Sequence, residues 1–252
     1  MSNDDSPALP TSPRGLVVAL DGPSSSGKST VGVEAARRLG YRFCDTGLLY
    51  RAVTWLAMDR GVPTAEADAV VALVPDVVLV EDGRGRLRHV EAEGRDVTAL
   101  VRGAEVDRSV SGYSMVPELR AALLGRQREI AAGGGIIMAG RDIGTVVLPD
   151  ADLKVYLDAS AEERARRRAA QRHTNSAGDA EAILADLLRR DSIDSTRAIA
   201  PLRIAADAVV IHTDGNTFHQ TVAAVVRNVR ERERARRTGE STAAVASQAA
   251  GE

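Results

Sequence analysis

Residues 22–29 read Gly-Pro-Ser-Ser-Ser-Gly-Lys-Ser, which matches the phosphate-loop pattern G-x-x-x-x-G-K-[ST] at every specified position. A short apolar run, residues 15–20, precedes the loop, and a predicted helix over residues 28–39 follows it. Backbone N–H groups of such a loop surround phosphates, Lys28 reaches the β- and γ-phosphates, and Ser29 offers its hydroxyl to Mg²⁺. A chance match in a surface loop is the alternative. The flanking strand and helix count against it, so the stretch predicts nucleotide binding.

Strands and helices alternate outward from this loop. Continuous apolar runs predict buried parallel strands at residues 15–20, 42–44, 136–139, 153–157 and 208–212. Apolar spacing and helix-ending glycines predict helices at residues 28–39, 48–59, 161–171, 180–190 and 217–230. This alternation predicts an α/β fold with three α/β/α layers around a parallel sheet. One segment, about residues 76–107, departs from it: stretches 77–81, 87–92 and 93–97, with a turn at Asp82-Gly83, predict a small antiparallel β insert.

Composition excludes several classes of protein. The chain has 33 basic and 35 acidic residues and a net charge of −2, which argues against a nucleic-acid-binding protein because those carry a basic excess. Cys44 is the single cysteine, so no intrachain disulfide is expected and a reducing compartment, the cytoplasm, is predicted. The sequence has neither an apolar run of about 18 residues nor a basic, apolar leader, so we expect no membrane span and no secretory signal. Residues 1–13 and 231–252 are predicted to be a disordered leader and a charged, low-complexity tail.

Two further motifs follow predicted strands. Residues 45–51 read DTGLLYR and end in Arg51, and residues 140–145 read GRDIGT. Ligands bind beyond the carboxyl ends of parallel strands, so Arg141 and Asp142 are expected to face the same cleft as the phosphate loop. The alternatives are that Arg51 is a solvated helix residue and that Arg141 and Asp142 form a local ion pair in a turn.

A third motif lies in the C-terminal part of the chain. Arg190, Asp194 and Arg197 are spaced by four and three residues, so on a helix they share one face. That face would carry two guanidinium groups and one carboxylate. A surface ladder of salt bridges is the alternative interpretation.

Together these segments resemble the cytidylate kinases over residues 15–224. The shared motifs are D-G-P-S-x-S-G-K-S, D-T-G-x-x-Y-R, G-R-D-I-G-T-x-V-x-P-D, L-D-A-S-x-E-E-R-A-R-R-R and R-D-x-x-D-x-x-R-A-x-x-P-L. The resemblance implies a monomeric enzyme that uses Mg²⁺ and transfers the γ-phosphoryl group of ATP to CMP or dCMP. It also implies one domain at residues 14–230, with a monophosphate-binding region over about 45–130 that contains the insert, and a lid over about 161–197.

Two other classes of protein stay open. One is a kinase of the same fold that acts on another monophosphate or on a small molecule such as shikimate. The other is a nucleotide-dependent switch such as a GTPase, although the sequence has no guanine-reading N-K-x-D motif.

The resemblance implies a role for each matching residue. ATP is expected to contact the loop and two arginines of the lid, namely Gly22, Pro23, Ser24, Ser25, Ser26, Gly27, Lys28, Ser29, Thr30, Arg164 and Arg167. CMP is expected to contact Thr46, Tyr50, Arg51, Ser111, Arg120, Arg141, Asp142, Arg190, Asp194 and Arg197. The residues assigned to catalysis are Lys28, Arg141, Arg190 and Arg197.

Two of these implied roles concern base selection and the metal. Asp142 would accept a hydrogen bond from the amino group of cytosine, whereas uracil presents a carbonyl oxygen there. Ser29 is the one metal ligand assigned, because Ala139 stands where some relatives carry an acidic residue. A further metal contact from Asp21 or Asp142 is left open.

Overall fold

The structure is a computed structural model that describes residues 15–81, 87–172 and 177–249. Its strands are β1 (Val17–Asp21), β2 (Arg42–Asp45), β3 (Val77–Glu81), β4 (Leu87–Ala92), β5 (Arg95–Asp96), β6 (Ile136–Gly140), β7 (Leu153–Asp158) and β8 (Val209–His212). Its helices are α1 (Lys28–Leu39), α2 (Gly47–Asp59), α3 (Ala67–Ala72), α4 (Ala104–Tyr113), α5 (Pro117–Ala131), α6 (Ala161–Arg172), α7 (Ala177–Thr196) and α8 (Phe218–Ala249). The predicted leader, the turn at 82–83, the lid residues 173–176 and the tail residues 250–252 lie outside the described residues.

The central sheet is parallel, which confirms the predicted α/β class. Its five strands follow the order β2-β6-β1-β7-β8. Asp21, the last residue of β1, is in register with Gly140 of β6 and Tyr156 of β7. Asp45, the last residue of β2, is in register with Ala139. Since the strands run in one direction, their carboxyl ends meet at one edge, where the phosphate loop begins.

Helices cover both faces of this sheet. Val18 and Leu20 of β1 pack into one apolar cluster with α1 and α8, whereas Ala19 packs on the opposite face with Met138 and Cys44. Cys44 is a core residue, since it is buried in this cluster, and burial raises the pKa of its thiol to about 12. The alternation along β1 therefore anchors the phosphate loop between two apolar layers.

The predicted insert is confirmed as a three-stranded antiparallel sheet in the order β3-β4-β5. It packs on α2 through a separate apolar cluster. The strands end at Asp96, however, and the remainder of the predicted insert contains a 3₁₀ turn at Leu100–Arg102 and the start of α4 at Ala104. The sequence analysis missed α3, α4 and α5. Pro117 at the first turn of α5 was an available signal, because proline's missing N–H is not needed there.

Two helices are longer than predicted. Helix α7 spans Ala177–Thr196 instead of 180–190, and α8 continues to Ala249 instead of ending near 230. The extension of α8 is rich in Ala, Arg and Glu, which have high helix propensity. A search of the part of the chain that the structure describes finds no helix both long and apolar enough to cross a membrane.

Candidate active site

The phosphate loop turns sharply between β1 and α1. Gly22 has φ +149°, and a Cβ there would lie 2.2 Å from the Leu157 carbonyl oxygen, so only glycine fits. Lys28 is buried, and its Nζ donates to the Pro23 carbonyl at 2.6 Å. Burial, and then the charge of Arg141, lower the pKa of Lys28 well below its usual value. A bound anion would offset this, because it favours the charged ammonium.

Ser29 is paired with a carboxylate that the sequence analysis did not assign. Its Oγ donates to Asp45 Oδ2 at 2.5 Å, and Asp45 Oδ1 accepts from the Gly47 N–H at 3.1 Å. A hydroxyl and a carboxylate side by side are oxygen donors of the kind that Mg²⁺ prefers. The donor set therefore fits a hard divalent cation. The overlooked signal was the position of Asp45 at the end of β2, beside the loop.

The two acidic residues that the sequence left open are both engaged elsewhere. Asp21 accepts hydrogen bonds from the Ile143 and Gly144 N–H groups, at 2.8 and 2.7 Å. Burial raises the pKa of Asp21 to about 6. Asp142 accepts from arginines, as described below. Within residues 15–81, 87–172 and 177–249, no group of three or more His, Cys, Asp or Glu side chains forms a metal cage.

Arg141 joins the phosphate loop to the second half of the cleft. Its Nη1 donates to the Gly22 carbonyl at 3.2 Å, and its Nε donates to Asp194 Oδ2 at 2.8 Å. The Asp194 carboxylate also lies near Arg197, with an Nη1–Oδ1 distance of 3.9 Å. The GRDIGT motif and the face of α7 therefore meet. This contact is not expected if Arg141 and Asp142 only form a local ion pair in a turn, or if α7 only carries a surface ladder of salt bridges.

Asp142 is held between two arginines. Arg120 Nη2 donates to Asp142 Oδ2, and Arg197 Nη2 donates to Oδ1 at 3.3 Å. The Arg120 guanidinium also lies over the Tyr50 ring, 5.4 Å from its centroid. The Asp142, Arg120 and Arg197 side chains are less than a tenth exposed, so the group forms a buried polar wall.

Arg51 is also paired with a carboxylate that the sequence analysis missed. Arg51 donates to Asp107, at the start of α4, and to the Val101 carbonyl at 2.9 Å. Arg168 of α6 donates to the same carboxylate, and Arg190 Nη1 lies 3.6 Å from it. No motif flagged Asp107, because its helix was not predicted.

The arginines of α6 contact the phosphate loop. Arg164 Nη1 donates to the Ser24 carbonyl at 3.2 Å and pairs with Asp191 at 2.6 Å. Arg167 Nη1 donates weakly to the Ser26 carbonyl at 3.4 Å and to Thr213 Oγ1 at 2.9 Å. The basic helix of the predicted lid thus lies against the loop.

One cleft of about 1310 Å³ contains most of the predicted site. The predicted residues that line it are Ser24, Ser25, Ser26, Gly27, Lys28, Ser29, Thr30, Thr46, Tyr50, Arg51, Ser111, Arg120, Arg141, Asp142, Arg167, Arg190, Asp194 and Arg197. Gly22, Pro23 and Arg164 are outside this lining; they contact lining residues instead. The sequence analysis missed lining residues that follow β8 and continue into the first turn of α8, namely Thr213, Asn216, Thr217, Phe218 and Thr221.

Comparisons of the sequence with known proteins show the family of this chain. The sequence model of a family described as cytidylate kinase matches residues 18–231. The cytidylate kinase of Nocardia farcinica (strain IFM 10152) is 47% identical over 216 residues, which cover 85% of this chain and 93% of that protein. The cytidylate kinase of Mycolicibacterium paratuberculosis (strain ATCC BAA-968 / K-10) is 47% identical over 219 residues, covering 86% and 96%. That of Geobacillus thermodenitrificans (strain NG80-2) is 42% identical over 222 residues, covering 87% and 98%.

Proposed function

Because this chain belongs to the cytidylate kinase family, we propose that it transfers the γ-phosphoryl group of ATP to CMP or dCMP, giving ADP and CDP or dCDP. The observation that carries the proposal is the position of Arg141. Its guanidinium extends from the Gly22 carbonyl of the phosphate loop to Asp194 on the opposite side of the cleft. A cation at that junction lies where a donor phosphate and an acceptor phosphate would meet.

The reaction requires charge neutralisation more than proton transfer. The second pKa of a phosphate monoester is about 6, so the acceptor oxygen is already anionic at neutral pH. The obstacle is the repulsion between two polyanions, and catalysis then consists of positioning and electrostatic stabilisation. Lys28, Arg141, Arg190 and Arg197 line one cleft and are the side chains that would do this.

The donor half of the cleft would bind ATP. Backbone N–H groups of residues 24–29 would surround the phosphates, and Lys28 would exchange its contact with the Pro23 carbonyl for phosphate oxygens. Arg167 would close on the nucleotide from α6, since it already contacts the loop. The segment between β8 and α8, beginning at Thr213, would border the donor base, because it lines the same cleft and contacts Arg167.

The acceptor half would bind CMP by exchange of ion pairs. Arg51 and Arg141 would hold the phosphate, and Tyr50, Arg190 and Asp194 would border the ribose. Ser111, Arg120 and Asp142 would contact the base; Ser111 and Asp142 are buried and line the cleft. An ionised carboxylate accepts hydrogen bonds and cannot donate them, so Asp142 favours the amino group of cytosine over the carbonyl of uracil.

Mg²⁺ is the divalent cation that we propose for this site. Ser29 and Asp45 would hold it, directly or through water, because their oxygens lie side by side at the mouth of the loop. When bound, Mg²⁺ neutralises phosphate charge. Asp45 thereby replaces Asp21 and Asp142 as the expected second protein contact.

The remaining parts of the proposal concern the cellular setting. The enzyme would act in pyrimidine nucleotide metabolism in the cytoplasm, with its single cysteine reduced. We propose that it acts as a monomer, because one chain supplies both halves of the cleft. It would need neither nucleic acid nor membrane.

A nucleotide panel tests the proposed function. ADP release from ATP and Mg²⁺ is measured with CMP, dCMP, UMP, AMP, GMP, dTMP and shikimate as acceptors. We expect the highest catalytic efficiency with CMP or dCMP, and loss of the activity in Lys28→Met. Preference for another acceptor would contradict the proposed substrate, and ADP release that needs no acceptor would contradict the kinase.

A further inference from the structure

Asp107 is an anion placed inside a cluster of cations. It lies in the first turn of α4 and lines the cleft, with 5% of the residue exposed. Arg51 and Arg168 donate to it, and Arg190 Nη1 lies 3.6 Å from Oδ1. The three arginines come from α2, α6 and α7. A single carboxylate therefore connects the acceptor half of the cleft to both helices of the predicted lid.

The cluster holds more donors than this carboxylate satisfies. Arg190 Nε is buried and has no hydrogen-bond partner among the described residues. Burial, and then the charges of Arg141 and Arg51, lower the pKa of Arg190 to about 10. A buried guanidinium in this state is stabilised by any further anion that reaches it. The surroundings of Arg190 thus favour a second negative group beside Asp107.

The acceptor phosphate would be that second group, and it would compete with Asp107 for Arg51. Two anions that share one set of guanidinium groups repel each other, and the repulsion is strong in a partly dehydrated cleft. Before the phosphate arrives, Asp107 offsets the mutual repulsion of the three arginines. After it arrives, the same carboxylate opposes binding.

We propose that Asp107 is an internal counter-ion for Arg51, Arg168 and Arg190 in the unliganded protein, and that the acceptor phosphate must displace it from Arg51. The inference rests on the proposed function, since it takes the phosphate of CMP as the incoming anion. Asp107 is a positioning residue that acts through Arg51, Arg168 and Arg190. It keeps them ordered before binding and lowers the affinity of the empty site for the acceptor.

Binding of CMP to Asp107→Asn, measured by calorimetry without ATP, tests this inference. Removal of one like charge predicts a dissociation constant for CMP that is lower by roughly three- to thirtyfold. Cytidine has no phosphate, so its affinity is expected to stay the same, and so is that of ATP. If Asp107 only supported the fold, its substitution would weaken the binding of CMP, cytidine and ATP together.

The matched control is Glu34→Gln, which also removes a carboxylate that pairs with two arginines, Arg37 and Arg38, but on α1 outside the cleft lining. It should leave the affinity for CMP unchanged. Asp107→Ser is the second variant, in case the asparagine variant does not fold. In thermal unfolding, the Asp107 variants should have a lower melting temperature than the wild type without ligand. Addition of CMP should raise their melting temperature by more than it raises that of the wild type.

The outcomes separate this inference from the proposed function. Unchanged or weaker binding of CMP by the folded variants would overturn the role of Asp107, and so would an equal gain in affinity for cytidine. Wild-type protein that neither binds nor phosphorylates CMP would instead overturn the proposed function.

Discussion

The donor and acceptor halves of the cleft are built in opposite ways. The phosphate-binding part of the donor half is a continuous stretch, residues 22–29, whose shape is set by glycine and backbone geometry. The acceptor half takes single side chains from α2, α4, α5, α7 and the end of β6, and its arginines are paired with Asp107, Asp142 and Asp194. One half is a preformed loop, and the other is a network of ion pairs.

The difference indicates how each half would receive its phosphate. A loop of N–H groups has no internal anion to lose, so the donor binds to a surface that is already arranged for it. A network of buried arginines is stable without ligand only where carboxylates offset part of its positive charge. In the proposed site, an acceptor would therefore break Arg–Asp pairs and replace them.

Arg141→Ala should have the largest effect, because Arg141 is the side chain that contacts both halves. Loss of one preorganised cation at the reacting groups predicts a decrease in kcat of roughly 100- to 1000-fold. Steady-state kinetics with CMP measure it. The control is Arg128→Ala, which removes an arginine that donates to the Val146 and Val147 carbonyls outside the cleft lining. Near-normal turnover of Arg141→Ala would show that the two halves do not depend on this bridge.

The second prediction concerns Asp21, at the base of the phosphate loop, and the pH dependence of the free energy of unfolding. Burial raises the pKa of Asp21 from 3.8 to about 6. Between these values the folded protein keeps a proton that the unfolded chain has lost, so the free energy of unfolding falls as pH rises from about 4 to 6. The decrease from this group is about 3 kcal/mol at most. In Asp21→Asn, the free energy of unfolding should not show this decrease between about pH 4 and pH 6. Urea unfolding across that pH range measures it.

The control for this measurement is Asp152→Asn, which changes a carboxylate at the opposite end of β1, where Asp152 Oδ2 accepts from the Val17 N–H at 2.8 Å. Carboxylates whose pKa is lowered, such as Glu34 at about 2, change the free energy of unfolding in the opposite direction. Their contribution is lost as pH falls, and at lower pH than that of Asp21. An Asp21→Asn slope equal to that of the wild type would contradict the assignment.

Asp142→Ala should change selectivity on the acceptor side. Removing the acceptor carboxylate takes away the hydrogen bond to cytosine and the mismatch with uracil, an effect of about 1–3 kcal/mol. The ratio of kcat/KM for CMP to kcat/KM for UMP should fall by roughly ten- to a hundredfold. The ratio is the measurement because general damage cancels in it. Glu81→Ala, which breaks the half-buried pair with Arg42, should leave the ratio unchanged; an unchanged ratio in Asp142→Ala itself would remove its role in base selection.

Asp45→Asn should have the smallest effect, and it tests the donor side. The variant replaces the carboxylate beside Ser29 by a neutral amide, which is a weaker ligand for Mg²⁺. The Mg²⁺ concentration that gives half-maximal activity should therefore rise about tenfold. Asp96→Asn is a close control, since Asp96 Oδ1 also accepts from an N–H two residues later, that of Thr98 at 2.9 Å, but in the insert. If the Mg²⁺ dependence is the same in both variants, Asp45 does not hold the metal.

Sequence alone predicted the fold more fully than it predicted the acceptor half of the site. The parallel strands, the bounds of α1 and the antiparallel insert follow from apolar runs, glycines and turn residues, which act over a few neighbours. The missed helices α3–α5 lie in the region that packs on the insert. Asp107 was missed with them, because a carboxylate on an unassigned helix has no local feature that reveals its arginine partners.

The sequence by itself determined the phosphate loop, because the residues that shape it are adjacent and their backbone angles are local properties. Tertiary structure alone decided which charges meet. Arg51 and Asp107 are 56 residues apart, and Arg141 and Asp194 are 53 apart. The parallel order of the strands brings the ends of β1, β2 and β6 to one edge, and the packing of α4 against α2 and α7 brings their charged side chains to the same space.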